Sequence, residues 1–515
     1  FTMKKHDLFA AMAAQGLALS YNDVELDPGY SEVHPQQVSI TTQFSRRIAL
    51  NIPVVSAAMD TVTEWEMAVA LAKLGGIGVI HRNLSPADQV RHVTRVKHHL
   101  HGRIDRPICI DPRERIEDIL AKLDRKGWDF RSLPVTDGDG RLAGIVASTD
   151  LDFCLDRSRT AADIMTKHDL LTAPPETTLE EALAIMQRRH KKILPLIDAD
   201  GRLQGMYTWK DVRRIKSENG QLHTVDAAGR LRVAAAIGVR DEDLNQAAAL
   251  AEAGVDALVL DAAHGHTLDM LEALRRMRAH SCLHEIDIIA GNVSRPEAVD
   301  ALVNAGADAI KVGQGPGSIC TTRVVGGAGY PQVSAVYDCT QQMYCSAVND
   351  SILPVPIIAD GGIHHSGHIT IGLAAGAACV MLGNLLAGCT ETPGEEVFSQ
   401  GARMRSYRGM GSLGAMQMAA DGGRDRYHQG DMRKLVPEGV EGLVPFRGSV
   451  ADVLHQYLSG LRAGMGYVGA SSIFVLQQTA GFHRITPSGR LEAHPHGVFI
   501  TKEAPNYRSP QQAAG

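Results

Sequence analysis

Along most of the chain, short apolar runs rich in Val, Ile, Leu and Ala alternate with longer stretches whose apolar positions recur every three to four residues. Eight runs stand out: Ile52–Ser56, Ile77–Ile80, Val233–Ile237, Ala257–Leu260, Ile286–Ala290, Ala309–Val312, Val355–Ala359 and Cys379–Leu382. A strand covered on both faces reads as a continuous apolar run, and strands separated by helices pair in parallel. Eight such units predict an α/β fold of the (β/α)₈ barrel type. A doubly wound sheet fits less well, because no GxGxxG opens a helix with an acidic residue about 20 positions further on.

Between the second and third runs the pattern changes. Leu133–Asp150 (LPVTDGDGRLAGIVASTD) and Leu194–Asp211 (LPLIDADGRLQGMYTWKD) are identical at 9 of 18 positions, 61 residues apart. Each reads as a strand, a turn at Asp139-Gly140 or Asp200-Gly201, a second strand, and an Asp opening a helix. The helix-like stretches ERIEDILAKLDRK and TLEEALAIMQRRH precede the two copies. This duplicated module resembles a tandem CBS (Bateman) domain. The expected layout is therefore a barrel over 3–105, a regulatory pair over 106–216, and the barrel resumed over 217–515.

Composition narrows the function classes. The 515 residues are 44% hydrophobic and 21% charged, ample for large packed cores. A net charge of −6 with no dense Lys/Arg block disfavours a nucleic-acid partner. No apolar run reaches the roughly 18 to 20 residues of a bilayer span; even Ile371–Leu386 is broken by glycines and Asn384. No secretory pattern is visible either, so a cytoplasmic protein without a membrane partner is expected. The eight cysteines form no CxxC pair, which argues against a zinc ribbon or a disulfide scaffold.

In such a barrel the chemistry sits where strands end. The residues there include Ala57–Asp60, His81–Asn83, Asp261–Gly265, Gly291-Asn292, Gly313–Cys320, Asp360–Gly362 and Gly383-Asn384. One glycine would only close a βα turn. Three neighbouring glycine-bearing loops after the sixth, seventh and eighth runs point instead to backbone N–H groups approaching a phosphate. Cys320 ends a Gly-Pro-Gly-Ser-Ile run beside Thr321, Thr322 and Arg323. A thiolate can be held there by a cation or backbone donors, as a nucleophile requires. Cys282, Cys339, Cys345 and Cys379 have no such setting.

The segments GPGSICTTR (Gly315–Arg323), SAAMDTV (Ser56–Val62), GGIGVIHRN (Gly75–Asn83), ADGGI (Ala359–Ile363), SYRGMGSLGAM (Ser406–Met416) and ITKEAPNY (Ile500–Tyr507) together resemble the inosine-5′-monophosphate (IMP) dehydrogenase family over nearly the whole chain. The resemblance implies NAD-dependent oxidation of IMP to XMP in guanine nucleotide synthesis. Cys320 would attack C2 of the purine, hydride would pass to NAD, and the resulting thioimidate would be hydrolysed. It further implies that Ser318, Gly361, Gly362, Gly383, Asn384 and Tyr407 hold the phosphate and that Asp360 holds the ribose. Met59, Gly409, Met410, Gly411 and Glu438 would surround the base. Asp261, Asn292, Gly313 and Gly315 would surround the dinucleotide. A flap over about 417–440 would bring Arg426 and Tyr427 to the intermediate once NADH has left. Arg426 is the first choice for activating water, and Thr322 with Glu438 is the second. A potassium ion on carbonyls of Gly315, Gly317 and Cys320 would be completed by Glu492, Ala493 and His494 of a neighbouring subunit, implying a homotetramer, with octamers left open.

Some positions depart from the family pattern. Ala262 and Ala263 follow the catalytic Asp where hydroxyl residues are common, and Asn384 stands where Ser is usual. Gly326–Pro331 and Gly466–Ala470 lean toward the sister GMP reductases, which convert GMP to IMP and ammonia with NADPH. Arg426-Tyr427 and the Arg408–Ser412 run argue against that alternative. The intact Cys320 loop argues against a catalytically silent nucleotide sensor. In the repeat, Thr208 and Asp211 match the Thr/Ser and Asp with which CBS pairs hold a ribose, whereas Ala147 precedes Asp150 in the first copy. A purine nucleotide such as ATP or GTP is expected at Asp211, with the Asp150 site weaker or altered.

Overall fold

The computed structural model describes residues 5–100, 103–104, 107–126, 132–209, 212–213, 222–349, 353–399, 401–418, 426–427, 434–502 and 504–507. The chain divides into two compact units: Phe1–Lys97 joined with Leu222–Gly515, and His98–Gln221.

In the first unit, eight strands close into a barrel: β1 (Val54–Ser56), β2 (Ile77–Ile80), β3 (Ala234–Ile237), β4 (Ala257–Asp261), β5 (Asp287–Val293), β6 (Ala309–Val312), β7 (Ile357–Asp360) and β8 (Cys379–Leu382). Every neighbouring pair is parallel, and β2 closes the ring on β3 through Val79 opposite Ala234. Two strands start two residues later than their apolar runs, β1 just after Pro53 and β7 just after Pro356, because proline cannot donate to the ladder. Three strands run further than the apolar pattern, to Asp261, Val293 and Asp360, so polar residues at those positions are strand residues rather than loop residues.

Alternation along the strands fills the interior. Val55, Ile77, Val79, Ala234, Ala236, Ala257, Val259, Ile289, Ala309, Ile358, Cys379 and Met381 pack into one buried cluster, with Phe44, Ile48 and Leu50 from a preceding hairpin joining it. Side chains two residues further along a strand point the same way. Continuing from Val259, Ala309 and Ile358 therefore puts Asp261, Lys311 and Asp360 on the inside, in the layer above the core. Beyond β8 a three-stranded antiparallel sheet, Glu396–Ser399, Ala402–Arg408 and Glu441–Pro445, brings Tyr407 and Arg408 to that end of the barrel.

The second unit shows its duplication directly. Leu133–Thr136 pairs with Leu142–Val146, and Ile193–Ile197 pairs with Leu203–Thr208, both antiparallel. The two turns exchange hydrogen bonds, Leu142 N–H to the Gly201 carbonyl and Leu203 N–H to the Gly140 carbonyl, each 3.0 Å. Each half has its own apolar core, around Ile116, Leu133 and Val146 in one and around Met186, Leu194 and Tyr207 in the other. Among the described residues, no helix is long and apolar enough to cross a membrane.

Candidate active site

One cavity opens at the C-terminal end of the barrel, lined by the ends of β1, β4, β5, β6, β7 and β8 or the loops that follow them. The residues expected to cradle a phosphate, Ser318, Gly361, Gly362, Gly383, Asn384 and Tyr407, all line it. Gly361 and Gly362 hold φ of +91° and +81° in succession, a backbone path that side chains with a Cβ rarely take and that frees consecutive N–H groups for an anion. Tyr407 is almost fully buried beside Gly383 and Met59. Burial pushes its phenol up, with the Asp360 and Cys320 charges acting in the same direction, so it remains a hydrogen-bond donor at neutral pH.

Cys320 lines the same cavity, its Sγ 3.2 Å from the Thr322 hydroxyl. Its loop is tied down from two sides. The Cys320 N–H donates to the Gly317 carbonyl (3.0 Å), and Thr321 N–H donates to the Glu438 carbonyl (2.9 Å). Arg323 does not act on the sulfur through a direct bond; its guanidinium donates to the Gln314 and Tyr330 carbonyls at 2.8 and 2.6 Å, stapling the loop. Tyr330, one of the positions leaning toward the reductases, has a structural role here, with its hydroxyl on Asp338 at 3.1 Å and Arg295 over its ring.

Asp261, Asn292, Gly313 and Gly315 line the same cavity, and Arg426 and Tyr427 reach into it. The Arg426 guanidinium forms an ion pair with the Asp261 carboxylate, and its carbonyl accepts the Ala263 N–H (3.1 Å). Ala262 is likewise engaged through its backbone, donating to Gly291 (3.0 Å) and accepting from Asn292 (2.9 Å), so the missing hydroxyls leave no gap in the fold. Tyr427 packs on Gly411, where any Cβ would lie 2.6 Å from its ring. Burial pushes the Tyr427 phenol up. With these two side chains in place the free volume is about 140 Å³, below the roughly 300 Å³ of an open ligand pocket.

Met59, Gly409, Met410 and Glu438 also line the cavity. Gly411 and Thr322 stand just behind it, Gly411 accepting the Glu438 N–H at 2.9 Å. Glu492, Ala493 and His494 do not line this cavity; His494 contacts Tyr507 (3.0 Å) and lines a separate one with His365. Among the described residues no group of three or more His, Cys, Asp or Glu could hold a metal ion. Carbonyls of Gly315, Gly317 and Cys320, in one short loop, offer the neutral oxygen donors that suit a large monovalent cation. In the second unit, Thr208 ends its strand, and the Asp150 carboxylate accepts the Ala147 N–H (2.8 Å) at a helix start. Asp211 lies outside the described residues.

A family model described as "IMP dehydrogenase / GMP reductase domain" matches residues 18–496. The chain belongs to the IMP dehydrogenase / GMP reductase family. Among its relatives, an inosine-5′-monophosphate dehydrogenase from Aquifex aeolicus is 49% identical over 95% of this chain and 97% of that protein. One from Bacillus subtilis is 44% identical over 95% and 97%. A crystal structure of a GMP reductase variant from Trypanosoma brucei in complex with guanosine 5′-monophosphate superposes with a TM-score of 0.83 at 39% identity, covering 94% of this chain and 98% of that one. Matches from both branches of the family thus span 94–95% of the chain.

The sequence motifs leave Lys311 unassigned and do not show what Arg408 holds. Lys311, 2% exposed, donates to Asp261 Oδ1 (3.0 Å), Asp360 Oδ2 (2.7 Å) and Asn292 Oδ1. A lysine inside an otherwise apolar strand run, in phase with the inward alanine two positions before it, was the available signal. Arg408 donates to both oxygens of Asp60 at 3.2 and 2.7 Å, clamping the Gly409–Gly411 segment to the loop after β1.

Proposed function

We propose that the chain oxidises IMP to XMP with NAD, through a covalent intermediate on Cys320, and so serves guanine nucleotide synthesis. The observation that carries this reading is the Arg426–Asp261 ion pair inside the Cys320 cavity. A reductase that releases ammonia has no use for a residue that activates water there. The 44–49% identity to proteins named as inosine-5′-monophosphate dehydrogenases supports the same choice.

In this reading the Cys320 sulfur bonds to C2 of the purine while Ser318, Gly361, Gly362, Gly383, Asn384 and Tyr407 fix the phosphate, Asp360 fixes the ribose, and Met59 with Met410 flanks the base. NAD would supply the hydride acceptor, with Asp261, Asn292, Gly313 and Gly315 to hold it. The hydride leaves C2 with its electron pair, so the carbon stays bound to sulfur as a thioimidate. Water then adds to C2, Arg426 or the Thr322–Glu438 pair takes its proton, and the Cys320 thiolate departs from XMP. Water must be excluded during the first step and admitted in the second. Exchange of the nicotinamide for Arg426 and Tyr427 on the Asp261 wall meets that requirement.

Further parts of the reading are the potassium ion on the Cys320 loop, completed across a tetramer interface, and a CBS pair over 106–216 that binds adenine or guanine nucleotides at Asp211. Action in the cytoplasm follows from the metabolic role. Incubating the protein with IMP and NAD is expected to raise absorbance at 340 nm. A flat trace there, with a falling trace on GMP and NADPH, selects the reductase instead.

A further inference from the structure

We propose that Lys311 is a positioning residue that ties the nucleotide half of the site to its cofactor half and sets the charge that the cofactor half can accept. The inference rests on the reading above for the identity of the ligands.

A buried lysine costs several kcal/mol unless its ammonium is fully engaged. Nothing in the barrel core calls for a charge at this point, since the inward residues below Asp261, Lys311 and Asp360 are Val259, Ala309 and Ile358. All three ammonium protons nevertheless find acceptors, on β4, β5 and β7. The result is a division of labour within each carboxylate. Asp360 gives Oδ2 to Lys311 and to the Asn292 amide (2.9 Å), leaving Oδ1 for a ribose hydroxyl. Asp261 gives Oδ1 to Lys311 and Oδ2 to Arg426. Asn292 is oriented at both ends, its carbonyl by Lys311 and its amide by Asp360 and the Gly313 carbonyl.

Charge counting gives the second half of the inference. Asp261 and Asp360 contribute two negative charges and Lys311 one positive charge, so with Arg426 away the group carries a net −1. One further cation balances it. The oxidised nicotinamide ring is such a cation, and the Arg426 guanidinium is another. Hydride transfer would discharge the ring, after which Arg426 would restore the balance. Lys311 thus makes the wall select one cation at a time, first from the cofactor and then from the chain itself.

The test compares Lys311→Met and Lys311→Arg for nucleotide affinity by calorimetry and for the KM of NAD and kcat in turnover. Methionine matches the volume of lysine without its charge, whereas arginine keeps the charge but is bulkier. If Lys311 only fills space, methionine is tolerated at least as well as arginine. The proposal expects the reverse, with Lys311→Met weakening IMP binding and raising the KM for NAD at least tenfold, and Lys311→Arg staying within about threefold. Wild-type affinity and KM in Lys311→Met overturn it. Should Lys311→Met fail to fold, the double variant Lys311→Met/Asp261→Asn, which removes one charge of each sign, is expected to fold; a double variant as unstable as the single one overturns the charge-balance argument. Calorimetry on IMP and GMP does not depend on turnover. A wild type inactive toward IMP and NAD therefore refutes the proposed function while leaving the Lys311 comparison readable.

Discussion

Replacing Arg426 by Ala separates the two chemical steps. In the structure its guanidinium is paired with Asp261, whose side chain is 3% exposed, while Arg426 itself retains 16%. Removing one partner of a buried ion pair costs about 3–5 kcal/mol, because the remaining charge is left uncompensated. The partial exposure of Arg426 places this pair at the low end, and about 3 kcal/mol corresponds to roughly a hundredfold shift away from the closed arrangement. In the proposed mechanism hydride transfer takes place with nicotinamide, not Arg426, against Asp261, so that step is expected to be spared. Rapid mixing of IMP and NAD with Arg426→Ala is expected to show a first burst of NADH of near wild-type rate and amplitude. Steady turnover should then fall at least a hundredfold, and quenching should trap the nucleotide on Cys320. If burst and turnover fall together, Arg426 is holding substrate or structure instead, and the reductase reading regains ground.

Other outcomes follow from the same geometry. Cys320→Ser should abolish both NADH formation and the covalent nucleotide, since an alcohol is far less acidic than a thiol; substantial residual turnover removes Cys320 from the mechanism. Tyr407→Phe deletes one donor to the phosphate, worth about 1.5–3 kcal/mol for a charged acceptor, and should raise the KM for IMP roughly ten- to a hundredfold with kcat little changed; an unchanged KM moves the phosphate elsewhere. Burial, followed by repulsion from His365 and His364, pushes His368 down to about 3. Its neutral form therefore supports the fold fully above its unfolded value near 6.5, and this support is lost as pH falls toward 3, at up to about 1.4 kcal/mol per unit. His368→Gln should accordingly lose less Tm than wild type between pH 7.5 and 5. Calorimetry with ATP and GTP should detect binding by wild type and weaker binding by Asp211→Ala; no heat with either nucleotide on wild type refutes a nucleotide site in the repeat.

The barrel was legible because strands buried on both faces leave unbroken apolar runs, and the repeat because duplication survives in turn residues such as Asp137 and Asp198, each accepting two backbone N–H groups from its own turn. What pattern alone misjudged lay at strand boundaries. Proline trims β1 and β7, and the polar ends of β4, β5 and β7 belong to the ladder because their side chains face a cavity rather than the core. Lys311 was visible as a letter but not as a partner, since three acceptors from three other strands meet only when the sheet closes. The pairing of Arg426 with Asp261 joins positions 165 apart in the chain, a separation over which local pattern carries no information.

The hydrogen bonds around Glu438 also constrain how the two site states interconvert. Glu438 N–H donates to Gly411, the Glu438 carbonyl accepts from Thr321, and Val440 N–H donates to Ile319, each at 2.9 Å, while Gly409 N–H donates to Val440 at 3.0 Å. Residues 438–440 are thus held between the Cys320 loop and the base-side Gly409–Gly411 segment, which Arg408 in turn clamps to Asp60. Withdrawing Glu438 would break several of these bonds together and loosen the loop carrying the nucleophile. Withdrawing Arg426 costs its contacts with Asp261 and Ala263. In the proposed exchange, then, Arg426 travels and Glu438 stays beside Cys320 throughout. Thr322 and Glu438 keep their places beside Cys320 when Arg426 is removed, so, if they form the second route to water, the slow turnover left in Arg426→Ala should vanish on further replacement of Glu438 by Gln. Equal residual rates in the single and double variants would show that Glu438 does not serve as that second base.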